Sequence, residues 1–237
     1  MQQQKSRILL IETSTSLCSA ALAEDGRVLA YRESSEPRAH AAMTAPYVKD
    51  VLDECGITVA DCSAVCVSSG PGSYTGLRVG VSTAKGLCFG AGIPLLSVDT
   101  MEILVAQAYA EGLVPDGCRY IVPMIDARRM EVYSCVYECE SLQRVTPVAP
   151  VVVDGDTYRG LLEEGKVLFI GDGALKCRDV ILAGGGDAAF VQCCPKASAM
   201  AGPAEKKLRA GATEDVAYFE PFYLKEFIAT VSKKALF

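Results

Sequence analysis

AVCVSSGPGSYTGLRVGVSTAKGLCFGAG, residues 64–92, is the stretch from which the fold is read. Ala64 to Val67 form an apolar run that reads as a short buried strand. The run breaks at Ser68-Ser69-Gly70-Pro71-Gly72, which no regular element crosses, and a helix is expected from about Thr75 to Gly90. Glycine inside a helix costs roughly 0.5–1 kcal/mol relative to alanine, so Gly76, Gly80, Gly86 and Gly90 call for compensation. At about 100° per residue, Gly76, Gly80, Thr83 and Ala84 fall on one side, flanked by Val79, Gly86 and Gly90. Such a face lets another backbone approach closely.

Upstream, Arg7 to Ile11 reads as a strand, Glu12-Thr13-Ser14-Thr15-Ser16 as a hydroxyl-rich turn, and Cys18 to Ala23 as a second strand. Asp25-Gly26 is a strong hairpin signal, leading into a third strand from Val28 to Glu33. A helix then runs to about Cys55 with Met43, Tyr47, Val48, Val51, Leu52 and Cys55 on its apolar stripe, and Pro46 inside it is expected to kink or divide it. Downstream come a strand from Ile93 to Val98 and a helix from Met101 to Ala110. The loop at Pro115-Asp116-Gly117 marks a boundary, giving domains 1–112 and 113–237, the second smaller and its last helix a candidate to pack back on the first. The second half repeats the plan. It has strands at 120–126, 131–137 and 145–153, a helix at 156–164, a strand at 167–170 ending in Gly171-Asp172-Gly173, a short helix to about Ala183, a strand at 190–193 and a helix at 197–210. The fold class is α/β, with mixed sheets flanked by helices in each half.

The 237 residues are half hydrophobic, carry a net charge of −6, and contain no tryptophan. A chain of that charge, with no basic block, lacks the clustered cations that grip nucleic acid unaided. Eleven cysteines without a Cys-x-x-Cys spacing read as reduced thiols serving as small apolar residues. No apolar run is long enough for a signal peptide or membrane span, so a cytoplasmic location is expected.

Gly70 to Gly76 sits where a phosphate loop would sit, between strand and helix. It matches neither the dinucleotide fingerprint nor the P-loop, since Gly76 is followed by Leu77-Arg78. Glu12, Thr13, Ser14, Gly70, Gly72, Ser73 and Thr75 therefore read as a vestigial phosphate-loop set, with a tight turn and close packing as the plainer account. His40 is the single histidine. It alone could serve a Ser-His or Cys-His device, no Gly-x-Ser-x-Gly elbow is present, and a two-histidine metal site is impossible. No catalytic residue, metal or cofactor is expected.

Residues 8–16 (ILLIETSTS), His40 before a proline-containing helix, residues 70–80 (GPGSYTGLRVG), residues 125–133 (IDARRMEVY), Gly171-Asp172-Gly173 and Pro221-Phe222-Tyr223-Leu224-Lys225 together resemble the TsaB (YeaZ) family. That family belongs to the glycoprotease-like group, and the match runs in order along nearly the whole chain. The resemblance implies the fold of the actin-like ATPase and sugar-kinase superfamily. It implies a non-catalytic subunit of tRNA N6-threonylcarbamoyladenosine synthesis at position 37, bound to the TsaD transferase and joined by the TsaE ATPase. Contact with tRNA would come only through the complex. In the TsaD paralogue a His-x-x-x-His pair holds the catalytic metal, whereas that register here is His40 and Thr44.

The resemblance also implies that partner contact uses the helices at about Pro37–Cys55 and Thr75–Gly90, with His40, Met43, Tyr47, Gly76, Val79, Gly80, Thr83, Gly86 and Leu87 as the interface set. The close approach permitted by the glycines is then expected to be made largely by a partner helix, with a homodimer when the partner is absent. The rival readings are a nucleotide hydrolase using Glu12 and the Gly70–Gly76 loop, and a glycoprotease-like peptidase.

Overall fold

Strand β1 (Arg7–Glu12) is apolar at successive positions because it is covered on both faces. Leu9 and Ile11 point to one layer, Ile8 and Leu10 to the other. Around it lie β2 (Cys18–Glu24), β3 (Arg27–Ser34), β4 (Ala64–Gly70) and β5 (Leu95–Asp99), in the order β3-β2-β1-β4-β5. The β1–β2 and β2–β3 pairs are antiparallel, and β1–β4 and β4–β5 are parallel. The Asp25-Gly26 hairpin forms with φ of 51° and 76°, the left-handed pair that a two-residue turn requires. The computed structural model describes residues 5–36 and 39–224, so Pro37 and Lys225 lie outside the described residues.

One face of this sheet is covered by α1 (Ala39–Glu54) and α2 (Tyr74–Ala91), through Val48, Val51 and Leu52 and through Val81, Ala84 and Cys88. Helix α1 runs unbroken through Pro46, so of the two expected outcomes, a kink or a division, the division does not occur. Ala42 and Pro46 are both exposed, so the carbonyl that loses its helical partner can be hydrated. A 3-10 turn (Val59–Asp61) leads from α1 to β4. The opposite face is covered by α3 (Thr100–Ala110), by a 3-10 turn at Ala197–Met200, and by α6 (Ala201–Arg209), whose Ala201 and Ala204 lie among Ile8, Leu10, Cys66, Leu96 and Val98.

The second sheet repeats the first. It contains β6 (Cys118–Asp126), β7 (Glu131–Ser134), β9 (Ala149–Val152), β10 (Lys166–Ile170) and β11 (Ala188–Val191), in the order β11-β10-β6-β7-β9. Here β6–β7 and β7–β9 are antiparallel while β6–β10 and β10–β11 are parallel, the same plan as before. The two sheets thus share one strand order and one pairing plan. Helices α4 (Arg159–Glu164) and α5 (Ala174–Ala183) pack on one face through Leu162, Cys177 and Ile181. Helix α3 covers the other with Met101, Leu104, Val105 and Ala108, while its Ile103 faces the first sheet. It is apolar around its circumference because it lies between two sheets.

The single strand expected over 131–137 is two. β7 pairs with β6 at Met124 to Asp126, and a short β8 (Tyr137–Glu138) pairs with it at Tyr120 and Ile121. Pro123 of β6 has no N–H to donate, so the ladder fails there, and its carbonyl accepts from the Ser134 hydroxyl at 2.9 Å instead. The expected helix over 197–210 is likewise a 3-10 turn followed by α6.

Candidate functional site

The turn after β1 and the start of α2 are built against each other. Glu12, Thr13, Ser14 and Thr15 are all buried. The Ser73 amide donates to the Ser14 carbonyl at 2.6 Å, and the Thr13 hydroxyl donates to the Gly76 carbonyl at 2.8 Å. Ser73 caps α2, its hydroxyl accepting from the Gly76 amide at 3.3 Å. A Cβ at Gly72 would lie 2.2 Å from the Ser14 carbonyl oxygen, one at Gly76 would lie 2.1 Å from that of Thr13, and one at Gly80 would lie 2.3 Å from the Thr13 hydroxyl. The backbone that comes close to the glycine face is thus the chain's own.

The members of the expected interface set lie differently in the folded chain. Gly76 and Gly80 are buried against the turn and do not face outward. The His40 ring also points inward, its Nε2 donating to the Thr15 carbonyl at 2.8 Å. Thr44, one turn further on, donates to the His40 carbonyl at 2.6 Å. Tyr47 and Leu87 pack partly into the core over the first sheet. The Thr83 hydroxyl donates to the Val79 carbonyl at 2.8 Å, and Met43, Val79 and Thr83 are half-buried.

Of the predicted set, Gly86 is the member that stands open, with nothing within 4 Å of a Cβ built on it. It shares an outward stripe with Ser82, Phe89 and Gly90, and Phe89 is 86% exposed. Ala41, Ala42, Ala45, Pro46 and Lys49 are among the exposed positions on the neighbouring α1. Phe89 was absent from the sequence-based set. Its position seven residues after Ser82 and three after Gly86 places it on that stripe, but spacing alone does not tell which stripe is covered.

Glu12 is fully buried; one carboxylate oxygen accepts from the Ser14 amide at 2.8 Å and the other has no protein partner. Burial pushes its carboxyl up to about 7, against the opposing pull of the Ser14 amide. The Ser14 and Thr15 hydroxyls are also buried without protein partners. Across from this turn stands the equivalent loop of the second half. Asp172 accepts from the Asp126 amide at 2.8 Å, and burial raises its carboxyl to about 6. Gly171 there has a φ of 131°, and a Cβ on it would lie 2.2 Å from the Met124 carbonyl oxygen, echoing Gly72 and Ser14. Lys176 pairs with Asp126, and Arg128 and Arg129 turn the chain between β6 and β7 with left-handed φ of 72° and 52°. Glu12 and Asp172 supply two carboxyls from opposite halves, but among the described residues no three His, Cys, Asp or Glu side chains group as a metal site.

Fold and site define an α/β chain of two halves built on one strand plan, in which the β1 turn closes against the start of α2. The family model for TsaD, tRNA N6-adenosine threonylcarbamoyltransferase, matches residues 33–233. The tRNA threonylcarbamoyladenosine biosynthesis protein TsaB of Bacillus subtilis is 34% identical over 168 residues, 69% of this chain and 70% of that protein. The TsaB of Escherichia coli is 39% identical over 132 residues, 56% of this chain and 55% of that protein, so that match spans little more than half of the relative's length. YeaZ from Pseudomonas aeruginosa superposes with a TM-score of 0.79 at 26% identity, over 92% of this chain and 100% of that one. The chain belongs to the TsaB (YeaZ) family.

Proposed function

We propose that the chain is an accessory subunit in tRNA threonylcarbamoyladenosine synthesis, docking on a TsaD-type transferase through the outward face of α1 and α2. Its TsaB-named relatives and its match to the TsaD model support the pathway and the kind of partner. The observation that carries the docking face is the open stripe of Ser82, Gly86 and Gly90, with Phe89 86% exposed among them. A partner helix can approach closely there, and the phenyl ring supplies an anchor of the kind that dominates interface energies. In this reading the chain does no chemistry itself. It works in the cytoplasm, is joined by a TsaE-type ATPase, meets tRNA only through the complex, and self-associates through the same face when the transferase is absent.

The test is co-expression with the transferase, followed by size exclusion and a tRNA modification assay. Gly86→Leu is expected to abolish co-elution and modification while the isolated chain keeps its melting temperature. Co-elution unchanged by both Gly86→Leu and Phe89→Ala would remove the reading.

The unpartnered Glu12 oxygen and the Ser14 and Thr15 hydroxyls favour a second reading, nucleotide hydrolysis at the β1 turn. Calorimetry with magnesium-ATP decides it. Micromolar binding, with turnover lost in Glu12→Ala, would replace the accessory role. The peptidase reading has no comparable support, since the Nε2 of the single histidine is engaged by the Thr15 carbonyl.

A further inference from the structure

Cys118 opens β6, and Cys139 follows directly after β8. The Cys139 amide donates to the Arg119 carbonyl at 2.9 Å, which continues the β6–β8 pairing by one step and fixes the two segments side by side. The Cys139 thiol then points at the Cys118 sulfur, with 3.2 Å between the two. Among the described residues all eleven cysteines are free, and this is the one thiol–thiol contact. Both residues are half-buried and within reach of a small solute, whereas Cys18, Cys62, Cys66, Cys88, Cys135 and Cys177 are buried. A disulfide needs about 2.05 Å between sulfurs, so closure asks for a movement of roughly 1 Å, within reach of a side-chain rotation and a small backbone shift.

We propose that Cys118 and Cys139 are a modification site, a dithiol that a hydroperoxide converts to an intramolecular disulfide clasping β8 to the start of β6. The Cys139 thiol is oriented to donate toward the Cys118 sulfur, and burial and that contact push the Cys139 thiol up to about 12, so Cys118 is taken as the sulfur that meets the peroxide. The Cys118 thiolate attacks one peroxide oxygen, the O–O bond breaks, and Cys118 becomes a sulfenic acid as the other oxygen leaves as water or the corresponding alcohol. Cys139 sulfur then attacks Cys118 sulfur, and the sulfenic hydroxyl departs with the Cys139 proton as water. Two thiols lose two electrons in all, and with hydrogen peroxide the oxidant is reduced to two waters. The clasp lies where the chain enters the second sheet, and Tyr109 of α3 donates to the Cys139 carbonyl at 2.6 Å. Oxidation therefore ties α3, β6 and β8 together at the junction of the two halves.

The test treats the full chain with stoichiometric hydrogen peroxide, blocks remaining thiols, and maps peptides by mass spectrometry without reduction. A Cys118–Cys139 link is expected in the monomer, with loss of two thiols and full reversal by dithiothreitol. In Cys139→Ser, Cys118 should stall as a sulfenic acid that dimedone traps, and in Cys118→Ser residue 139 should stay a thiol. Oxidation of other cysteines while both of these remain free thiols would overturn the proposal, as would a link formed only between chains.

Discussion

A Cβ placed on Gly76 would lie 2.1 Å from the carbonyl oxygen of Thr13. Real side chains do not approach backbone oxygen so closely, and neither atom belongs to a flexible tip that could swing away. The glycine is therefore a packing requirement of the monomer, because α2 and the β1 turn share one space.

Gly76→Ala should destabilise the isolated chain by about 3 kcal/mol or more, since either the helix or the turn must shift. Gly80→Ala meets the Thr13 hydroxyl at 2.3 Å and should also be costly. Urea denaturation measures both. A midpoint within error of the parent would show that the turn yields freely.

Gly86→Ala is the control with the opposite sign. A Cβ there meets nothing within 4 Å. The substitution should stabilise the monomer by roughly 0.5–1 kcal/mol through helix propensity alone. A loss of stability would mean that something of the chain's own covers that face.

Phe89→Ala removes a ring that is 86% exposed. The melting temperature of the isolated chain should be unchanged, and affinity for the transferase should fall by at least 30-fold, as for an anchor worth about 2 kcal/mol. Calorimetric titration of the partner reads the change, and an affinity unaltered by the substitution would place the docking surface elsewhere.

Glu12 makes stability depend on pH in a defined direction. Its folded carboxyl titrates near 7, above an ordinary value of 4.5. Between these values the folded chain binds more protons than the unfolded one, so stability falls as pH rises. The advantage is fully present below 4.5 and is lost as pH passes through 7. Glu12→Gln should flatten this slope and be more stable than the parent at pH 8, by on the order of 3 kcal/mol. Parallel pH profiles for the two proteins would refute this account of Glu12.

His40→Ala should cost about 1 kcal/mol, the worth of one hydrogen bond to the Thr15 carbonyl. Transferase activation by the folded variant should persist, because the ring faces the turn. Loss of activation at full stability would return His40 to the partner face.

Much of the fold was legible in the chain itself. The apolar run of β1, the Asp25-Gly26 hairpin and the matching Gly70–Gly72 and Gly171–Gly173 loops announced two halves of one plan. Two local details were not legible. Pro46 stays within α1 because its lost hydrogen bond falls on the solvent side, and the 131–137 strand splits because Pro123 of its neighbour lacks a donor. Both depend on what lies beside the residue in space, which propensity does not record.

The sequence by itself determined where the elements lie and that α2 must be met closely by something, because glycine is the residue that permits such an approach. Only the tertiary structure decided what meets it. Periodicity defines faces of a helix but does not say which one turns toward the sheet. Packing set Gly76 and Gly80 against Thr13 and left Gly86, Phe89 and Gly90 to the outside.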